Sequence, residues 1–288
     1  MQIKIDMHRH IWRREHFTSG GLSVASYGDH DTDLGQFMRD LDEAGIDKAV
    51  VIPLDQTRFA WGKYKVPDIF IRDFVVKHPD RLIGFSASCP LDERSKLNLS
   101  GLQEFETSVK DFGLKGLKLF PVYSWYYPND TSVYPFYEKA QELGVPVMLH
   151  QAGTNAPFAR MKYGRPIFLE DVAIDFPKLN ICACHMGYPW TEELFALMRK
   201  CSNVWTDLAA IFIRPTVLAW NLVLAKEYNI IDRVMFGTDY PFFKPTKDMS
   251  NFVSAQFNTI ADKAGWPGLS QSEIDGILGN NARRFLRL

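Results

Sequence analysis

Cysteine is scarce in this 288-residue chain, with only four, and no apolar run approaches the roughly 20 residues that a bilayer requires. The 46% hydrophobic content is therefore assigned to an internal core rather than to a membrane span. Charge of one sign is also missing: 33 lysines and arginines meet 34 aspartates and glutamates, and no block of like charge stands out. Nucleic acid and anionic membranes are recognised through such blocks, so both are argued against as partners and a small molecule is expected. Few cysteines, and a start of Met1-Gln2-Ile3-Lys4-Ile5-Asp6 without the apolar core of a secretory leader, lead to the expectation of a cytoplasmic protein. Internal repeats, low-complexity tracts and linkers rich in Gly, Ser or Pro are absent, and one domain over residues 1–288 is expected.

What the chain does contain is alternation. Short apolar runs at 3–5, 49–52, 82–87, 116–120, 145–149, 181–184, 204–206 and 234–236 read as strands. Amphipathic stretches at 34–44, 69–77, 102–112, 134–143, 192–200 and 216–228 read as helices between them. Regular βα alternation implies parallel strands joined by right-handed crossovers. An open doubly wound sheet would carry a glycine fingerprint after its first strand, and Asp6-Met7-His8-Arg9-His10 stands there instead. The expected fold is a closed (β/α)8 TIM barrel with C-terminal helices, one near 249–264 and a last one capped by Ser270 with Glu273.

A barrel concentrates its chemistry at the C-terminal ends of its strands. In an extended chain Asp6, His8 and His10 point the same way, so strand one presents two imidazoles together. Strand five ends in His150, strand six in His185, and strand eight runs into Asp239. A single buried histidine is ordinarily a hydrogen-bonded core residue. Four of the chain's seven, with an aspartate, on one rim would be a costly concentration of polar groups unless a cation or substrate satisfies them. A shared metal or catalytic site is expected. Counting strand alternation back from His185 turns Cys182 and Cys184 towards the helices, which argues against a thiolate site.

In combination and order, several segments resemble the amidohydrolase superfamily. They are Asp6-Met7-His8-Arg9-His10, Gly116-Leu117-Lys118-Leu119-Phe120-Pro121, Pro146-Val147-Met148-Leu149-His150, His185-Met186-Gly187-Tyr188-Pro189-Trp190, Phe236-Gly237-Thr238-Asp239-Tyr240-Pro241 and Asn280-Asn281-Ala282-Arg283-Arg284. The nearest likeness is to the branch that includes aminocarboxymuconate-semialdehyde decarboxylase, resorcylate-type decarboxylases and lactone hydrolases. This resemblance implies one divalent ion, zinc or else manganese, held by His8, His10, His150 and Asp239, with His185 and Asp239 handling protons. It implies a homodimer as well. Lys118 fits in type and place the carboxylated lysine that bridges two metals in some binuclear relatives; it equally fits a contact to an anionic substrate or a carboxylate. Asp207 is either the group that orients a histidine or the polar end of its strand.

Four long connections on the catalytic side, at 11–32, 54–67, 121–132 and 151–168, are rich in aromatic residues, among them Trp12, Phe17, Trp61, Tyr64, Tyr123, Trp125, Tyr126, Tyr127, Phe158 and Tyr163. Tyr188, Trp190 and Phe242 follow strands six and eight. Arg13, Arg14, Arg58, Arg160, Arg165 and Arg214 are distributed through the same region, and a guanidinium grips a carboxylate bidentately. The expected substrate is a small, carboxylated, planar or cyclic molecule, bound by Lys118, Arg160, Arg165, Tyr188 and Trp125. The leading expectation is a hydrolase of a lactone, amide or similar ring through activated water. A non-oxidative decarboxylase is the alternative, followed by a metal-independent lactonase and, outside enzymes, a non-catalytic binding barrel.

Overall fold

The computed structural model describes residues 3–17, 30–59, 64–243 and 247–288. Its strands are β1 (Ile5–His10), β2 (Lys48–Ile52), β3 (Leu82–Gly84), β4 (Ser86–Ala87), β5 (Leu117–Leu119), β6 (Val147–Leu149), β7 (Ile181–Ala183), β8 (Val204–Asp207) and β9 (Val234–Met235). Neighbours pair in parallel from β1 to β3 and from β4 to β9. The run 82–87, read as one strand, is divided at Phe85, with β3 pairing to β2 and β4 to β5. Closure comes from the chain's two ends: Met7 N donates to Phe236 O at 3.0 Å, Asp239 N to His8 O at 2.8 Å and His10 N to Tyr240 O at 2.6 Å. The result is the (β/α)8 barrel that the alternation predicts.

The helices are α1 (Leu34–Ala44), α2 (Asp68–Val75), α3 (Leu99–Lys110), the single turn α4 (Pro121–Ser124), α5 (Tyr134–Glu142), α6 (Leu169–Asp175), α7 (Thr191–Lys200) and α8 (Pro215–Glu227). After the last strand follow α9 (Lys247–Asn251), α10 (Phe257–Ala264), α11 (Gln271–Asp275) and α12 (Asn281–Leu286). Local chemistry sets several boundaries. The Asp33 side chain accepts from Gln36 N at the start of α1, and Gly45, left-handed at φ 66°, ends it. Ser270 and Glu273 form the expected capping box at α11.

Alternate strand residues sort into two apolar groups. Val51, Leu119, Leu149 and Ala183 pack with Phe37, Leu41, Phe136 and Leu194 of the helices. Val50, Ile52, Met148, Cys182, Cys184 and Met235 fill the barrel interior with Phe85, and Phe285 and Leu286 of α12 join them. Because Asn180, just before β7, donates to Phe285 O at 2.9 Å, α12 plugs the N-terminal end of the barrel and leaves the other end open. Gly116 is required here: a Cβ would stand 2.3 Å from the Phe85 ring that fills the interior. Asn281, from the last resembling segment, donates to Ile231 O and Val234 O, tying α12 to β9.

Candidate metal centre and active site

The β1–β2 register slips between Asp6 and Arg9, a bulge that turns both Met7 and His8 inward. Asp6, expected alongside His8 and His10, therefore turns away: its carboxylate accepts from Thr238 N at 3.0 Å and Thr238 Oγ1 at 2.7 Å. His10 Nδ1 lies 3.0 Å from Ile52 O, and since a carbonyl only accepts, that nitrogen carries the hydrogen. Its Nε2 is left as a lone pair, and burial lowers the imidazole pKa to about 4, keeping it neutral. His8 Nδ1 lies 2.8 Å from Asp207 Oδ2, while Asp207 Oδ1 accepts from His185 N at 2.8 Å and Ala209 N at 3.2 Å. Asp207 is thus the group that orients His8 and anchors the β7 turn.

Both Nε2 atoms, of His8 and of His10, stand 3.5 Å from Asp239 Oδ1. Ligand atoms about 2.0–2.2 Å from a tetrahedral ion lie roughly 3.3–3.6 Å apart, so the spacing fits a divalent cation at their centre. Burial opposes the charge on Asp239, but His10 and His8 hold its pKa well below the usual carboxylate range. Gly237 permits this approach of the two strand ends, because a Cβ there would come 3.1 Å from His8 Cβ.

His150 stands beside the trio rather than within it. His185 Nδ1 lies 3.0 Å from Ala209 O and so carries a hydrogen, which leaves His185 Nε2 to accept from His150 Nδ1 at 3.1 Å. His150 Nε2 is consequently a bare lone pair, buried without a hydrogen-bond partner. Burial first, and then the neighbouring His185 imidazole, push the His150 pKa well down, so it stays neutral. His185 and Asp239 adopt left-handed backbone, at φ 61° and 65°, a strain that non-glycine residues keep where their side chains are needed.

The early departure of His185 from extended backbone corrects the reading of the cysteines. Alternation cannot be counted back through a left-handed residue, and Cys182 and Cys184 face the interior, with Cys184 Sγ 3.0 Å from Lys118 Nζ. Lys118 is itself fully buried, its Nζ 3.2 Å from His8 Nε2, and it does not reach the substrate space.

Above these groups opens a cavity of about 640 Å³, walled by His10, His150, His185 and Asp239 and by Phe120, Tyr123, Phe158, Tyr188 and Phe242, with Gln56, Thr154, Asn155 and Arg214 as polar members. Of the expected substrate contacts, Tyr188 lines it; Lys118, Trp125, Arg160 and Arg165 do not. Trp125 is packed between Phe59 and Arg160, with ring distances of 4.4 and 3.7 Å, and its Nε1 donates to Phe158 O at 3.0 Å. Arg165 pairs with Glu193 at the surface. Arg214, one of six loop arginines in the sequence, lines the cavity with its guanidinium 4.7 Å from the Tyr188 ring centre. Gln56 had no signal in the sequence, since it belongs to no motif. Trp61 lies outside the described residues.

Histidines and a carboxylate gathered at the C-terminal ends of a parallel barrel define a barrel enzyme with a candidate metal site. The family model described as amidohydrolase matches residues 5–288, and the chain belongs to the amidohydrolase family. Solved structures agree in fold. 5-Carboxyvanillate decarboxylase from Novosphingobium aromaticivorans, complexed with manganese and 4-hydroxy-3-methoxy-5-nitrobenzoic acid, is 18% identical with a TM-score of 0.71, over 99% of this chain and 96% of that one. 2,6-Dihydroxybenzoate decarboxylase from Rhizobium is 18% identical with a TM-score of 0.66, over 100% and 99%. A protein named as a probable 2-pyrone-4,6-dicarboxylic acid hydrolase from Acinetobacter baumannii, with citric acid bound, is 16% identical with a TM-score of 0.68, over 100% of both. Among the described residues no helix is long and apolar enough to cross a membrane.

Proposed function

We propose that this chain, as one domain, is a metal-dependent hydrolase that opens a small carboxylated cyclic substrate. The observation that carries the reading is the convergence of His8 Nε2 and His10 Nε2, each 3.5 Å from Asp239 Oδ1, with the unpartnered His150 Nε2 beside them as a fourth ligand. Zinc and manganese both suit nitrogen and carboxylate donors, and the manganese of the Novosphingobium enzyme supports the latter. When bound, such an ion supplies Lewis acidity for activating water or polarising a substrate oxygen.

The chain's own residues supply the rest. Asp239, held ionised, accepts the proton released by the attacking water, and His185 at the cavity wall contacts the substrate. Phe120, Tyr123, Phe158 and Phe242 hold a planar ring and exclude water. Arg214 grips the carboxylate, in place of the Arg160 and Arg165 expected from the sequence.

Decarboxylation is a second reading, favoured by the aromatic walls and by the two decarboxylases among the structural relatives. The reactions separate by isotope. Hydrolysis of a carboxylated lactone in H₂¹⁸O places ¹⁸O in the product, whereas decarboxylation of an aromatic acid in D₂O places deuterium on the ring carbon. The metal reading is tested by elemental mass spectrometry: His150→Ala loses most bound metal, and His185→Ala keeps it while losing turnover. Full metal occupancy in His150→Ala would remove that residue from the ligand set.

A further inference from the structure

Gln56 stands in the loop after β2, in a stretch of backbone that is pinned around it. Gln56 N donates to Tyr64 O at 3.0 Å, and the preceding Asp55 carboxylate accepts from Thr57 Oγ1 at 2.8 Å and from Thr57 N and Cys89 N, each at 3.2 Å. The side chain that this loop holds lines the cavity and is 5% exposed, yet its Oε1 is buried without a hydrogen-bond partner among the described residues. Buried side-chain amides are ordinarily satisfied by the fold, so an acceptor left unpaired on the wall of a ligand cavity is directed at the ligand. The charge of the cavity is one-sided as well. Arg214 is the only lysine or arginine that lines it among the described residues, and it follows β8, three strands from β2 across the closing seam and so well round the rim from Gln56.

We propose that Gln56 is a specificity-determining residue: it receives a neutral hydrogen-bonding group of the substrate, a ring hydroxyl or N–H, while Arg214 holds the carboxylate, so that the site selects against a second carboxylate at the Gln56 side. The inference rests on the carboxylated-ring reading above. A hydroxyl both donates and accepts, so it pairs with the amide whichever way the amide plane faces. A carboxylate only accepts: against Oε1 it is repelled, and against the amide N–H it still carries a full charge that no lysine or arginine described on that wall offsets. One neutral hydrogen bond of this kind discriminates by about tenfold.

The test is calorimetric titration of the full-length, Zn²⁺-supplied protein with benzoate, with 3- and 4-hydroxybenzoate, and with the matching dicarboxylates isophthalate and terephthalate. Wild type is expected to bind the better hydroxybenzoate about tenfold more tightly than benzoate, and the matching dicarboxylate no more tightly than benzoate. Gln56→Met keeps the length of the side chain and removes the amide; it should bring the ratio of hydroxybenzoate to benzoate affinity close to one. Because it deletes a buried acceptor that the fold leaves unpaired, it should also melt at or above the wild-type temperature. A hydroxyl preference that survives in Gln56→Met, a dicarboxylate bound more tightly than the hydroxybenzoate by wild type, or a Tm several degrees lower in the variant overturns the proposal. The carboxylate reading stands through each of these if benzoate binds wild type and is lost from Arg214→Met. If wild type binds none of the five acids, that reading falls and the proposal falls with it.

Discussion

Asp68, at the first position of α2, accepts hydrogen bonds from Ser86 Oγ, Ser108 Oγ and Ala87 N, yet burial outweighs these donors and raises its pKa to about 6. An aspartate ordinarily titrates near 3.8, so between these values the folded chain binds more protons than the unfolded one, and stability falls as pH rises through about 4 to 6. Above that window the ionised carboxylate costs about 3 kcal/mol. Asp68→Asn is therefore expected to raise Tm at pH 7.5 and to leave it unchanged near pH 4, which thermal melts at the two pH values would check. Arg214 gives a second test at this scale. Arg214→Met should raise KM for a carboxylated substrate by about tenfold or more with little change in kcat, while Arg165→Met, engaged with Glu193 at the surface, should leave both alone. Equal effects would remove the carboxylate role from Arg214. Residue chemistry was legible in sequence where it followed motifs, as with His8, His10 and Asp239, and silent where it depended on which of several arginines a loop turns inward.

At the scale of elements, the connecting loops are fastened by side chains that the sequence suggested for substrate. Arg58 donates from Nε to Asp92 O at 3.1 Å, from Nη1 to Ser124 O at 2.6 Å and Trp125 O at 3.2 Å, and from Nη2 to Ser95 Oγ at 2.6 Å. It thereby joins three loops, and Trp125 extends the tie to Phe158 on the cavity wall. Arg58→Met strands several acceptors at once and is expected to cost about 2–4 kcal/mol in denaturant unfolding. Trp125→Phe keeps the ring but drops the bond to Phe158 O, so KM should rise several-fold with Tm nearly unchanged; an unchanged KM would show that Phe158 needs no such tether. The amphipathic helices were legible because one apolar face recurs every turn, whereas α4 and α6 are too short to establish a period. Strand alternation predicted the wrong face for Asp6 and for Cys182 and Cys184, because the bulge in β1 and the left-handed turn at His185 interrupt the two-residue period.

For the whole molecule, the barrel was legible because eight apolar runs at regular intervals admit few other arrangements, but its closing seam was not. The seam joins the first strand to the segment after the last, and it is where His8, His10 and Asp239 meet, so closing the barrel and assembling the candidate metal centre are one event. Asp6 fastens it: displaced from the site by the β1 bulge, its buried carboxylate takes both the Thr238 hydroxyl and the Thr238 amide, while the same hydroxyl lies 3.3 Å from Tyr240 N. Thr238→Val keeps the branched shape and the amide but removes the hydroxyl, leaving a carboxylate at 0% exposure short of a donor. The expected loss is about 2–3 kcal/mol of unfolding free energy, with weaker metal retention because Asp239 sits one residue beyond, and Thr238→Ser should recover most of both. Melting curves and metal content of the two variants test this directly: a Thr238→Val protein that melts and holds metal like wild type would mean that the backbone ladder between β1 and residues 236–240 closes the barrel unaided.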